Sequence, residues 1–183
     1  FIDPAESETP NPNDPGVALY SPDADPQALR EARTLFFAPG WHRLRDYAKG
    51  GIIDEDGQLA LQDGQQLYLA GGAIVEGIIA SGSRKHSAQR VFGRGALTGR
   101  GYLWRRHPDH SGPEYRQLLS LGERASVEGV MVMESPNHGI VAGGGARIAN
   151  IKYLGWHCNN DGIRVGGGSE IRDSFLRCVD DHF

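Results

Sequence analysis

The chain has 183 residues, 39% hydrophobic and 23% charged, with a net charge of −4 and two cysteines. Both signs of charge are interspersed, which gives no basic footprint for nucleic acid, and no apolar run approaches the roughly 18 residues of a membrane span. That length allows one domain with a sizeable core, or a piece of something larger, and two cysteines are too few for a disulfide scaffold. The first residue is Phe1, and no charged segment followed by an apolar run opens the sequence; a signal peptide is read as absent here or removed ahead of it. Glycine is the unusual component, at 26 of 183 residues, about twice the roughly 7% average. It falls between short runs of Val, Ile and Leu, which predicts many turns and many short strands.

Residues 1–33 open the chain with Asp3-Pro4, Thr9-Pro10-Asn11-Pro12-Asn13-Asp14-Pro15-Gly16 and Ser21-Pro22. This Pro-rich connector cannot run as a helix or a central strand. Pro26 at a first helical position predicts two helical turns over 25–32. A connector of this kind joins two domains and predicts an N-terminal partner; the alternative is a strap lying along the surface of a single domain.

From residue 34 onward the pattern repeats. Val127-Glu128-Gly129-Val130 aligns with Ile148-Ala149-Asn150-Ile151 and then with Ile171-Arg172-Asp173-Ser174, at offsets of 21 and 23. Leu67 to Ala73 and Val91 to Leu97 stand 24 apart, and Asn137-His138-Gly139-Ile140 aligns with Asn160-Asp161-Gly162-Ile163 at offset 23. A period in the low twenties with β-branched residues and no helical spacing predicts an all-β parallel β-helix, right-handed by the usual rule. Residues 34–183 are its N-terminal coils. Val127, Ile148, Ile171, Ile140 and Ile163 are the expected inward residues, and Gly129, Asn150 and Asp173 the expected corners. The register slips between Val91 and Val127, where an insertion over Tyr102 to Leu119 is rich in His, Arg and aromatics. Insertions in a solenoid commonly mark the binding face.

The chemistry gathers at the end of the chain. Asn159-Asn160-Asp161 and Asp180-Asp181 stand about one coil apart. With a step of 23, Asp180 is expected over His157 and Asp181 over Cys158. Coils stack about 4.8 Å apart, so Asp161 and the Asp180–Asp181 pair should come within roughly 10 Å. Converging carboxylates suit glycosidic cleavage, and carboxyls about 6.5–9.5 Å apart leave room for a water. Adjacent strand residues point to opposite faces, so both members of the pair can face a groove only if the strand ends or bulges there. His157 could steer the acid or bind a sugar hydroxyl. Trp41, Tyr102, Trp104 and Trp156 are stacking platforms or core residues. The seven histidines show no metal-binding spacing, and the triple glycines lack a phosphate-loop ending, so neither metal nor cofactor is expected. Cys158 and Cys178 are read as buried small residues rather than a disulfide.

At these residues the sequence resembles the parallel β-helix glycoside hydrolases, the clan that holds the polygalacturonases and the dextranase–isopullulanase family. The clan's signature is an Asn-x-Asp run followed one coil later by Asp-Asp, here Asn159-Asn160-Asp161 and Asp180-Asp181. The dextranase side is favoured by the opening segment, which resembles the connector leaving that family's N-terminal β-sandwich. It is favoured also by the stretches from Phe36 to His42 and from Leu67 to Gly77, similar to its first coils. The resemblance implies Asp180 as the general acid and Asp161 and Asp181 as the groups that hold and deprotonate the attacking water, with inversion. His157, Asn160, Arg164 and His182 are the expected substrate-binding residues. The expected enzyme is a monomeric, extracellular or periplasmic glycosidase acting on an α-linked polysaccharide or oligosaccharide, dextran-like by first preference. A pectin-cleaving polygalacturonase, a lyase or epimerase on the same scaffold, and a non-catalytic carbohydrate-binding solenoid remain as alternatives. The family's later substrate motifs would fall beyond residue 183, so the site is expected to be cut at its edge.

Overall fold

The computed structural model describes residues 5–47, 51–83, 85–104, 107–109 and 116–183. The start of the connector (1–4) and part of the insertion (105–106 and 110–115) lie outside the described residues. After β1 (Val17–Leu19) and the short helix α1 (Pro26–Glu31), the chain runs through coils of three strands each. The first coil is β2 (Thr34–Phe37), β3 (Gly40–Arg43) and β4 (Gln58–Leu61). It is followed by β5 (Gln66–Leu69), β6 (Ala73–Glu76) and β7 (Ile78–Ser81), then β8 (Arg90–Gly93), β9 (Ala96–Thr98) and β10 (Leu119–Leu121). Two further coils are β11 (Ser126–Glu128), β12 (Met131–Met133), β13 (Ile140–Ala142) and β14 (Arg147–Ala149), β15 (Lys152–Leu154), β16 (Ile163–Val165). The strands β17 (Glu170–Arg172) and β18 (Phe175–Arg177) begin another.

Like strands stack on like. The first strands of the coils, with β1 at the edge, form a seven-stranded sheet; the second strands form a six-stranded sheet and the third a five-stranded one. Every pairing between named strands is parallel. This is a parallel β-helix, and the apolar repeat in the sequence is its coil. Leu35, Leu67, Val91, Val127, Ile148 and Ile171 follow one another in register down the first sheet. All but Ile171, which lies on the last coil, are buried in a single core that Ile140 and Ile163 join from the third sheet. Burying a side chain of this size stabilises by about 1.5–3 kcal/mol, so the stacked columns carry the fold.

The corner between the first and second sheets is tight and repeats its backbone. Gly93, Gly129, Asn150 and Asp173 stack there with φ of 122°, 78°, 51° and 51°. Positive φ is open to glycine and tolerated by Asn and Asp, which is why those residue types recur. The corner between the second and third sheets varies instead. It is one residue, Gly77, in one coil, and then spans 99–118, 134–139 and 155–162 in the next three. The long insertion therefore belongs to this corner, and Leu119 itself opens β10.

The described part of the opening segment lies against the solenoid. Val17–Leu19 pairs with Thr34–Phe36. Asp25 caps α1 by accepting from Gln27 N, Pro26 opens the helix, and Leu29 is buried in the core. Residues 6–8 cross three strands: Glu6 accepts from the Tyr68 hydroxyl, Glu8 pairs with Arg90, and the Ser7 hydroxyl donates to Glu128 at 3.1 Å. Beneath them Phe36, Tyr68 and Phe92 form an outward aromatic ladder with ring centroids about 5 Å apart. Among the described residues no helix is long and apolar enough to cross a membrane.

Candidate active site

Asp161 sits near the end of the 155–162 loop, and Asn160 builds that loop. The Asn160 side chain is fully buried, and its Oδ1 accepts from Trp156 N (2.8 Å) and His157 N (3.0 Å). Its Nδ2 donates to Asn137 O (3.1 Å) and to Ser135 O on the coil before. Asn160 was expected among the substrate-binding residues, and its side chain faces inward. Its amide is committed internally and holds the loop that presents Asp161.

The loop after β18 is shorter than the one after β15, and this changes the expected register. Leu154 pairs with Arg177, 23 positions on. Beyond them Gly162 N donates to Asp181 O (2.8 Å) and Ile163 N to His182 O (3.0 Å), in the pattern by which Gly139 N and Ile140 N reach Asp161 O and Gly162 O. Asp181 therefore stacks over Asp161 and Asp180 over Asn160, a step of 20 rather than 23. The expected placements over Cys158 and His157 fail because the apolar repeat fixes the strands and leaves loop length free. Gly162 is what lets the coils close here, since a Cβ on it would lie 2.6 Å from His182 O.

The three aspartates thus share one corner on two adjacent coils. Asp161 and Asp181 have backbones about 4.8 Å apart, and Asp180 lies on the diagonal, roughly 6 Å from Asp161. The strand ends at Arg177, so the alternation of faces does not extend to 180 and 181. Both carboxylates are exposed, and Asp180 Oδ1 accepts from Asp181 N at 3.1 Å. The Asp161 side chain is 22% exposed, and its Oδ2 lies 3.1 Å from His138 Nδ1. That distance suits an ion pair, yet among the described residues neither His138 Nδ1 nor Asp161 Oδ1 has a hydrogen-bond partner, so the two groups are close without being aligned. His138 escaped the sequence reading, although the offset between Asn137-His138-Gly139 and Asn160-Asp161-Gly162 carries it.

Other expected residues disperse around this centre. His157 is held at the far side of the loop, stacked on Trp104 of the insertion with ring centroids 4.2 Å apart and planes 1° off parallel. Burial lowers the pKa of its imidazole below the usual histidine value, opposed by the Glu134 charge and aided by His107. Arg164 is exposed on β16, and His182 is exposed beside Asp181. Trp156 is 47% exposed, with the Arg177 guanidinium 3.7 Å over its ring. Tyr102 is structural: its hydroxyl donates to Asp56 O, and Arg45 covers its ring. Cys158 and Cys178 are free thiols, half-buried rather than buried. Burial first, and the Asp161 charge second, push the Cys178 thiol up to about 11. Burial, Cys178 and Asp161 also raise the phenol of Tyr153, whose hydroxyl is buried without a partner among the described residues. Among the described residues no three His, Cys, Asp or Glu side chains form a set that could hold a metal ion.

No family model matches the chain. It is similar to two proteins named dextranase, from Arthrobacter sp. (strain CB-8) and Arthrobacter globiformis, each 27% identical over an alignment that covers 63% of this chain. The chain spans 21% of the length of each of these relatives.

Proposed function

We propose that this β-helix carries the acidic centre of a glycoside hydrolase that cleaves an α-linked glucan of the dextran type with inversion. The observation that carries the reading is the stacking of Asp181 on Asp161, with Asp180 one step off the column. Two stacked carboxylates suit the joint holding of a water, and the diagonal one suits protonation of the departing glycosidic oxygen. In this reading Asp180 gives its proton to the leaving oxygen as the glycosidic bond breaks. The water held by Asp161 and Asp181 loses a proton to them as its oxygen bonds the anomeric carbon. Trp156, flat and half exposed on the Asp161 loop, offers a face for a sugar ring. The similarity to two dextranases supports the substrate class.

The test is reducing-end release by the intact protein from dextran, pullulan and polygalacturonate. Asp161→Asn, Asp180→Asn and Asp181→Asn should each lower kcat by about 10²–10⁴-fold. NMR of the newly released product should show the anomer opposite to that of the substrate. Wild-type rates in Asp180→Asn would remove it as the acid, an unsaturated product would indicate elimination, and cleavage of polygalacturonate alone would exclude the glucan.

A further inference from the structure

His138 meets the carboxyl of Asp161 across a coil boundary. Gly139 N donates to Asp161 O (2.8 Å), which sets His138 directly beneath Asp161. The two side chains are 20% and 22% exposed, and Nδ1 stands 3.1 Å from Oδ2. The backbone of His138 is pinned from both sides, since its carbonyl accepts from the Ser135 hydroxyl (2.6 Å) and from Leu118 N (3.2 Å). Asn160 bonds the carbonyls of Ser135 and Asn137, so one buried amide fixes both the turn that carries His138 and the loop that carries Asp161. The other carboxylate oxygen, Oδ1, is buried and without a partner among the described residues.

We infer that His138 is a positioning residue: from the coil below, its Nδ1–H holds the Asp161 carboxylate at the angle from which that group receives the proton of the attacking water. The inference rests on the proposed hydrolytic reading. Catalytic contacts are commonly poorly aligned before substrate binds and tighten in the complex, which fits a pair that is near but off line. A misplacement of about 1 Å at such a group costs on the order of 10² in rate.

The experiment is steady-state kinetics on the intact protein with dextran as substrate, comparing His138→Ala, His138→Asn and Asp161→Asn with wild type, each checked by thermal melting. His138→Ala should lower kcat about 10²-fold with KM within about twofold of wild type, because the loss falls on the transition state. Its melting temperature should stay within about 4 °C. His138→Asn sets an amide N–H near the position of Nδ1 and should recover most of the rate. A wild-type kcat in His138→Ala overturns the inference, as does an asparagine variant no better than alanine. So does a loss of rate matched by a fall in melting temperature. If Asp161→Asn is inactive while His138→Ala is normal, the inference fails alone; if Asp161→Asn is fully active, the catalytic reading fails and takes the inference with it.

Discussion

Two polar side chains buried in the same corner present opposite cases. Asn160 makes four hydrogen bonds to four backbone groups, whereas the Tyr153 hydroxyl is fully enclosed and makes none among the described residues. Removing a satisfied buried amide strands its partners, each at about 1–3 kcal/mol before relaxation. Asn160→Ala should therefore destabilise by about 3 kcal/mol, read as a lowered urea midpoint at constant m-value. Tyr153→Phe removes an orphan and should leave stability unchanged or raise it by up to about 1 kcal/mol; a clear loss would show that the hydroxyl has a partner, such as an enclosed water. At this scale the sequence was legible in kind and not in role. Asn159-Asn160-Asp161 reads as one polar run, and nothing in residue type says that its middle member turns inward to bind the coil before. His138 was written in the repeat itself, but only the stacked register turns an aligned histidine into a neighbour of Asp161.

The strands and tight corners were legible for a simple reason. Inward columns demand apolar residues at a fixed phase, and positive φ demands Gly, Asn or Asp, so both leave marks in sequence. The Gly129, Asn150 and Asp173 column bears this out. Gly129→Ala should cost at least about 2 kcal/mol, since φ is 78° and the added Cβ would lie 2.5 Å from Gly93 O. Asn150→Gly should fall within about 1 kcal/mol of wild type, because its φ of 51° suits glycine better and its Nδ2 makes no bond to lose. Thermal melts of the two variants side by side test the argument; equal effects would sink it. Loop length leaves no such mark. The drop from 23 to 20 positions in the last loop follows from hydrogen bonds at Gly162 and Ile163, and it moved Asp180 and Asp181 by three places.

The first and last described coils differ. At one end β1 and α1 cover the first coil, with Tyr20, Leu29 and Ala32 joining the core. At the other, β16, β17 and β18 are the last strands of their sheets, and Phe175 is 41% exposed. Open sheet edges pair with other chains. Expressed as these 183 residues alone, the chain should self-associate as concentration rises, seen as growing sedimentation coefficients. A monomer at all concentrations would show that the last strands are protected in some other way. Such an architecture also lets one corner change freely: Gly77 and the 99–118 loop occupy the same position on neighbouring coils, and the stack between them is undisturbed.

The crossing of residues 6–8 over β5, β8 and β11 has a mechanical meaning. Backbone ladders join each coil only to the next, so a solenoid under tension along its length can be peeled one rung at a time. Glu6 on Tyr68, Glu8 on Arg90 and Ser7 on Glu128 are fastened to three rungs at once. A pull on the N-terminal segment first loads these three attachments together in shear, and only when they give way does the force reach β1. The segment is a splint laid across the grain of the sheet.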